Sequence, residues 1–304
     1  MSKWTKSAGV TLGATALVLP LISGTAIANA DPTPTTTTVN VEIQGAPGPN
    51  SVLDIPDNGS ATAISYGGTA YPITTKNANN HNIVQASLPP GTYSFVATYN
   101  GTRQQVNGVT IGSSAKTVYF QAASVNLALQ DHSGFPLTAD TASYYANGWH
   151  TMTGGQADML PGAYSFAATY NGTRQQMNGV TVAQPNSNNG ANRYQSVGFQ
   201  TELVNVVASD SAITSGSTSV QADASYFGLD QAYHPITGVN VNNHNQVQAE
   251  MLPGTYSFVD SYNGMRQQKN GVVVKQPAPN PTHNKYLNVQ SVYFGFSSAG
   301  VGTY

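Results

Sequence analysis

Between residues 39 and 296 the chain is built from short runs in which apolar and polar side chains alternate, separated by Gly, Pro and Asn. Tyr93, Phe95, Ala97 and Tyr99 alternate with Thr92, Ser94, Val96 and Thr98. That period of two predicts a strand with one more strongly apolar face. Residues 39–43, 125–129 and 204–207 alternate in the same way. Asn100-Gly101, Asn171-Gly172 and Asn263-Gly264 predict hairpins, because a type I′ turn needs positive φ at both central residues. A second Asn-Gly, beginning at Asn107, Asn178 and Asn270, is expected to open the following strand. No window offers a capped amphipathic helix of useful length, so the pattern predicts an all-β chain.

The pattern repeats. Leu88-Pro89-Pro90-Gly91-Thr92-Tyr93-Ser94-Phe95 returns around Leu160-Pro161-Gly162 and again around Leu252-Pro253-Gly254. Each copy runs on into Tyr-Asn-Gly-x-Arg-Gln-Gln-x-Asn-Gly-Val and closes on a strand carrying Phe120, Phe199 or Phe294. Gly91 to Arg103, Gly162 to Arg174 and Gly254 to Arg266 are each 12 residues apart. Length varies only in polar stretches such as 185–195 and 277–284, as surface loops tolerate. The expected organisation is three tandem antiparallel β-sandwich repeats at 39–122, 123–201 and 202–304, each of six to eight short strands, forming an elongated array.

Residues 1–30 read as a secretory signal peptide. Lys3 and Lys6 precede an apolar run, and Ala28-Asn29-Ala30 is a small-x-small cleavage site. Residues 31–38 form a Pro/Thr linker. Removing the first 30 residues leaves 13 acids against 9 bases and no apolar run long enough for a membrane span. Charged residues make up 8% of the chain, and the bases are not clustered, which argues against nucleic-acid binding. The absence of cysteine excludes disulfides and thiolate chemistry. Together these features place the mature chain outside the cell, at the surface or secreted.

A strand, a polar hairpin, Leu-Pro-x-Gly-x-Tyr-x-Phe and a terminal Val-x-Phe resemble the prealbumin-like modules of bacterial surface proteins, of the Cna-B and carboxypeptidase-regulatory type. The resemblance implies an Ig-like, prealbumin-like sandwich fold serving as stalk, spacer or adhesin. Some Cna-B modules carry a Lys–Asn isopeptide bond assisted by a buried acid. The acid position corresponds to Ala97, Ala168 and Asp260, and the opening strands contain no Lys. No isopeptide bond is therefore expected, and Asp260 is expected at a solvated strand end.

No nucleophile–base pair or carboxylate pair falls within a repeat, so no catalytic residues, cofactor or metal ligands are assigned. Arg103, Arg174 and Arg266 are read as sheet-covering residues. His81 and His244 share the context Asn-Asn-His-Asn and are read as hairpin-tip residues. Asp54, Asp57 and Asn58 are read as a local turn and not as a calcium loop. Tyr144, Tyr145 and Trp149 in YYANGW are the candidate ligand-binding residues, since exposed aromatic rings can stack on sugars. The sequence thus predicts a secreted, non-catalytic structural or adhesive protein. Its expected partner is a second copy, in a filament or array, or a surface polysaccharide.

Overall fold

A computed structural model describes residues 35–46, 51–186, 192–211, 219–220, 223–240, 243–279, 282–284 and 287–297. The signal-peptide reading of residues 1–30 and the first half of the 31–38 linker lie outside the described residues. Residues from Thr36 onward form one compact unit, which contains three β-sandwiches.

Each sandwich pairs two sheets. In the first, one sheet holds the opening strand Thr37–Gln44, flanked by Val84–Leu88 and by the closing strand Lys116–Gln121. The facing sheet runs Ala70–Ile73, Gly59–Ser65, Gly91–Tyr99, Thr102–Ile111 in spatial order. The second and third sandwiches repeat this plan, opening with Ala123–Gln130 and Glu202–Asp210 and closing with Tyr194–Gln200 and Val289–Phe296. One pairing departs from the antiparallel expectation. In every sandwich the closing strand lies parallel to the opening strand, with Val41 opposite Val118, Leu127 opposite Val197 and Val206 opposite Val292. Parallel neighbours need a long crossover between them, and here the rest of the sandwich supplies it.

The predicted alternation sets the cores. Val39, Val41 and Ile43 from one sheet meet Phe95, Ala97 and Tyr99 from the other, and all are buried. The three Asn-Gly hairpins form as expected, with φ of 46° and 76° at Asn100 and Gly101 and near-identical values in the other copies. The second Asn-Gly does not open a new strand. It lies inside Thr102–Ile111, Thr173–Val182 and Met265–Val274, where the register slips between Tyr93 and Phe95 and at the equivalent places. Gly108, Gly179 and Gly271 sit there at φ 67–71°, so each is the positive-φ residue of a β-bulge. The only helix among the described residues is one turn, Ile55–Asn58, capped by Asp54 Oδ1 accepting from the Asp57 amide at 3.3 Å. His81 is exposed in a turn, and His244 lies on the strand Asn243–Met251.

Candidate functional site

The repeated Leu-Pro-Gly block has a role that the sequence reading misaligned. Tyr164 and Tyr256 donate their hydroxyls to the carbonyls of Leu160 and Leu252, whereas the equivalent Tyr93 donates to Pro89. Pro89, and not Leu88, is therefore the counterpart of the two leucines. The difference matters because Leu160 and Leu252 leave their own sandwiches. Leu160 is wholly buried in the core of the first sandwich, and Leu252 in the core of the second.

The two junctions use the same parts. The Leu160 amide donates to Thr102 Oγ1 at 3.0 Å, and the Leu252 amide donates to Thr173 Oγ1 at 3.1 Å. Each threonine hydroxyl in turn donates to a carbonyl across its own hairpin, that of Tyr99 or Tyr170. Tyr144 donates its hydroxyl to the Asn100 carbonyl at 2.8 Å, and Tyr226 makes the matching bond to Asn171. His150 stacks on Tyr144 at 5.1 Å, and His234 on Tyr226 at 5.2 Å. A Cβ on Gly101 would strike His150 and the Ala146 carbonyl, and one on Gly172 would strike His234. Side-chain amides complete each junction, with Gln104 donating to Gln184 and Gln175 to Gln276. Burial drives the Tyr144 hydroxyl pKa up to about 12 and that of Tyr226 higher still, so both remain donors at any physiological pH.

The outer ends do not carry the complementary halves. Strand register places Ala63, Tyr71 and Pro89 of the first sandwich where the others have Tyr, His and Leu. At the far end Met265 replaces the lock threonine, and Gly264 has open space around it. Met265 and Tyr262 pack instead against the third core, and Phe296 closes on Tyr262 at 5.7 Å. The end is filled from within.

The second junction has an additional polar clasp. Glu250 accepts from the His132 amide at 3.2 Å, pairs with His132 Nδ1 and receives the Thr201 hydroxyl. Asp131 lies close enough to make a three-ligand group with them, but its Oδ1 holds the amides of Ser133 and Phe135 at 2.9 and 2.8 Å. This cluster is a hydrogen-bonded clasp joining the second and third sandwiches. Glu202, buried beside it, has its pKa raised by desolvation, an effect that Lys275 opposes.

Asp260 does not sit at a wet strand end. It is fully buried at the inward position that Ala97 and Ala168 occupy in the other copies. Oδ1 accepts the Ser261 amide at 2.9 Å, and Oδ2 has no partner among the described residues. Desolvation pushes its pKa up to about 6.

The structure separates the three sequence candidates. Tyr144 is buried in the junction, and its hydroxyl is already committed. Tyr145 and Trp149 lie opposite each other on neighbouring strands, exposed, with rings at 5.6 Å and 68°. Arg174 places its guanidinium 5.2 Å from the Trp149 ring. Phe227 and Tyr233 form the same edge-to-face pair in the third sandwich, at 5.1 Å and 61°. The sequence reading missed that pair because the spacers between the two aromatics differ in length and only strand register aligns them. In the first sandwich Ile64 and Ala70 stand at these positions.

No protein-family model matches the chain, and no curated protein matches it. Solved structures similar to it include the TIE protein of Bacillus anthracis, with 11% identity, 86% of this chain and 51% of that chain covered, and a TM-score of 0.23. The pilus adhesin SpaC of Lactobacillus rhamnosus GG gives 12% identity, coverage of 86% and 43%, and a TM-score of 0.25. The minor pilin of Streptococcus agalactiae gives 8%, 88% and 98%, and 0.21. The chain spans about half the length of the first two. Similarities at this level decide no function, and the assignment of an all-β sandwich array rests on the chain's own sheets.

Proposed function

We propose that this chain is a secreted, non-catalytic structural and adhesive protein of the bacterial surface or extracellular matrix, in which three sandwiches are locked into one body that holds exposed faces away from the cell. The observation that carries this reading is the junction. The same leucine, tyrosine, histidine and threonine contacts occur at both junctions, so the first and second sandwiches are each completed by the one that follows. A chain that must transmit force or hold a fixed reach gains from such closure, because separating two sandwiches would open a hydrophobic core. The positions retained through repetition shape backbone and junctions. No helix among the described residues is long and apolar enough to cross a membrane.

Self-assembly in this reading would run through a free strand edge or the 31–38 tail, and not through a repeat of these junctions. Head-to-tail association of copies would bring Met265 against Pro89, Ala63 and Tyr71, which lack the donors, acceptors and plug of the internal junctions. Fractionation of producing cells with an antibody against the full chain tests the reading. Recovery from the medium or the outer surface, sensitive to protease added to intact cells, is expected. Confinement to the cytoplasm overturns it.

A further inference from the structure

The exposed aromatic pairs have no part in the locks. Alternation along each strand turns Tyr144 and His150 into the junction and Tyr145 and Trp149 to the outer face. The same division holds for Tyr226 and His234 against Phe227 and Tyr233. Tyr145, Trp149, Phe227 and Tyr233 remain 48%, 45%, 37% and 49% exposed. The fold does not need aromatic rings here, because the first sandwich builds the same strands with Ile64 and Ala70. Exposed aromatic area kept at one register in successive repeats marks a contact surface.

The surroundings indicate its chemistry. Ser143 and Ser165 flank Tyr145, and Ser225 and Ser257 flank Phe227 at the same register. Farther across the sheets, Gln176 donates to Asn178 at 2.7 Å and Gln268 donates to Asn270 at 2.6 Å. Hydroxyls and carboxamides beside flat rings suit a ligand with both apolar faces and many hydroxyls, and they do not select a charged one. Two such pairs on successive sandwiches suit a repeating polymer better than one compact partner.

We propose that Tyr145–Trp149 and Phe227–Tyr233 form a repeated binding face for a neutral polysaccharide whose sugar rings present flat apolar faces. The proposal rests on the surface-adhesive reading and names its partner. Each pair stacks on a sugar ring, the neighbouring serines and amides bond its hydroxyls, and the Arg174 guanidinium holds Trp149 in place.

The test uses the full chain, sedimented with microcrystalline cellulose and with chitin at physiological salt. Saturable retention on at least one of them is expected. The double variant Tyr145→Leu/Trp149→Leu should bind about tenfold more weakly, and adding Phe227→Leu and Tyr233→Leu should abolish retention. Leucine keeps apolar area on the strands while removing the ring face. Thermal melting reports on folding, and if the quadruple variant melts early, the single variants Trp149→Leu and Tyr233→Leu read the same loss. No retention on either polymer, or retention that survives the substitutions, overturns the proposal. Either result leaves the outcome of cell fractionation, and with it the surface reading, unaffected.

Discussion

The Leu252 amide donates to Thr173 Oγ1 at 3.1 Å, so a residue of the third sandwich completes the second. Truncating it should therefore damage its neighbour. Leu252→Ala leaves a cavity in the second core, and substitutions of this kind cost about 2–5 kcal/mol. Hydrogen exchange should show the loss in Phe166 and Phe199 of the second sandwich and not in Phe258 of the third. Damage confined to the third sandwich would contradict the interlock.

The hairpin glycines separate backbone strain from docking. Gly172 and Gly264 have φ of 68° and 74°, so alanine is strained at both. Only Gly172 faces a histidine across a junction, while Gly264 has open space around it. Gly172→Ala should lower the melting temperature clearly more than Gly264→Ala, with the excess coming from a displaced His234. Equal losses would show that nothing docks against the second hairpin.

Removing the lock acceptor strands a buried donor. In Thr173→Val the Leu252 amide has no partner, at a cost of about 1–3 kcal/mol. The change corresponding to it at the far end, Met265→Thr, meets no leucine and should bring no gain in stability by thermal melting.

The third sandwich should be more stable in mild acid. Asp260 has a folded pKa of about 6 against the ordinary 3.8, so the folded state takes up a proton first. Its carboxylate destabilises the fold above pH ~6, and that penalty is relieved as the pH falls toward ~4. Glu202, also raised by desolvation, acts with the same sign. Asp260→Ala, which matches the other two copies, should stabilise the protein at pH 7 and remove most of the gain on acidification. Calorimetry between pH 7 and 4.5 checks both effects. A variant no more stable than the parent at pH 7 would place Asp260 in contact with solvent.

Alternation, Asn-Gly turns and the repeated Gly-to-Arg block made the strands, hairpins and threefold copying legible in the sequence. The parallel closing strand was not legible, since nothing local distinguishes a parallel from an antiparallel edge. The bulge at Asn107-Gly108 looked like a new turn because both need positive φ. The junction was hidden by a one-residue offset: proline in the first copy and leucine in the others occupy one position, which only the Tyr93 and Tyr164 hydroxyl bonds reveal. Of the aromatic candidates, YYANGW exposed Tyr145 and Trp149 but could not show which neighbour the strand turned inward.

Amide exchange at Leu160 and Leu252 probes the lock at its centre. Both groups lie in the short Leu-Pro-Gly links ahead of a strand and find their acceptors only on the preceding sandwich. Independent beads would let these protons exchange at the rate of open loops. Locked sandwiches should hold them as slowly as the strand amides of Phe95 and Phe166, and loop-like exchange at either leucine would contradict the account.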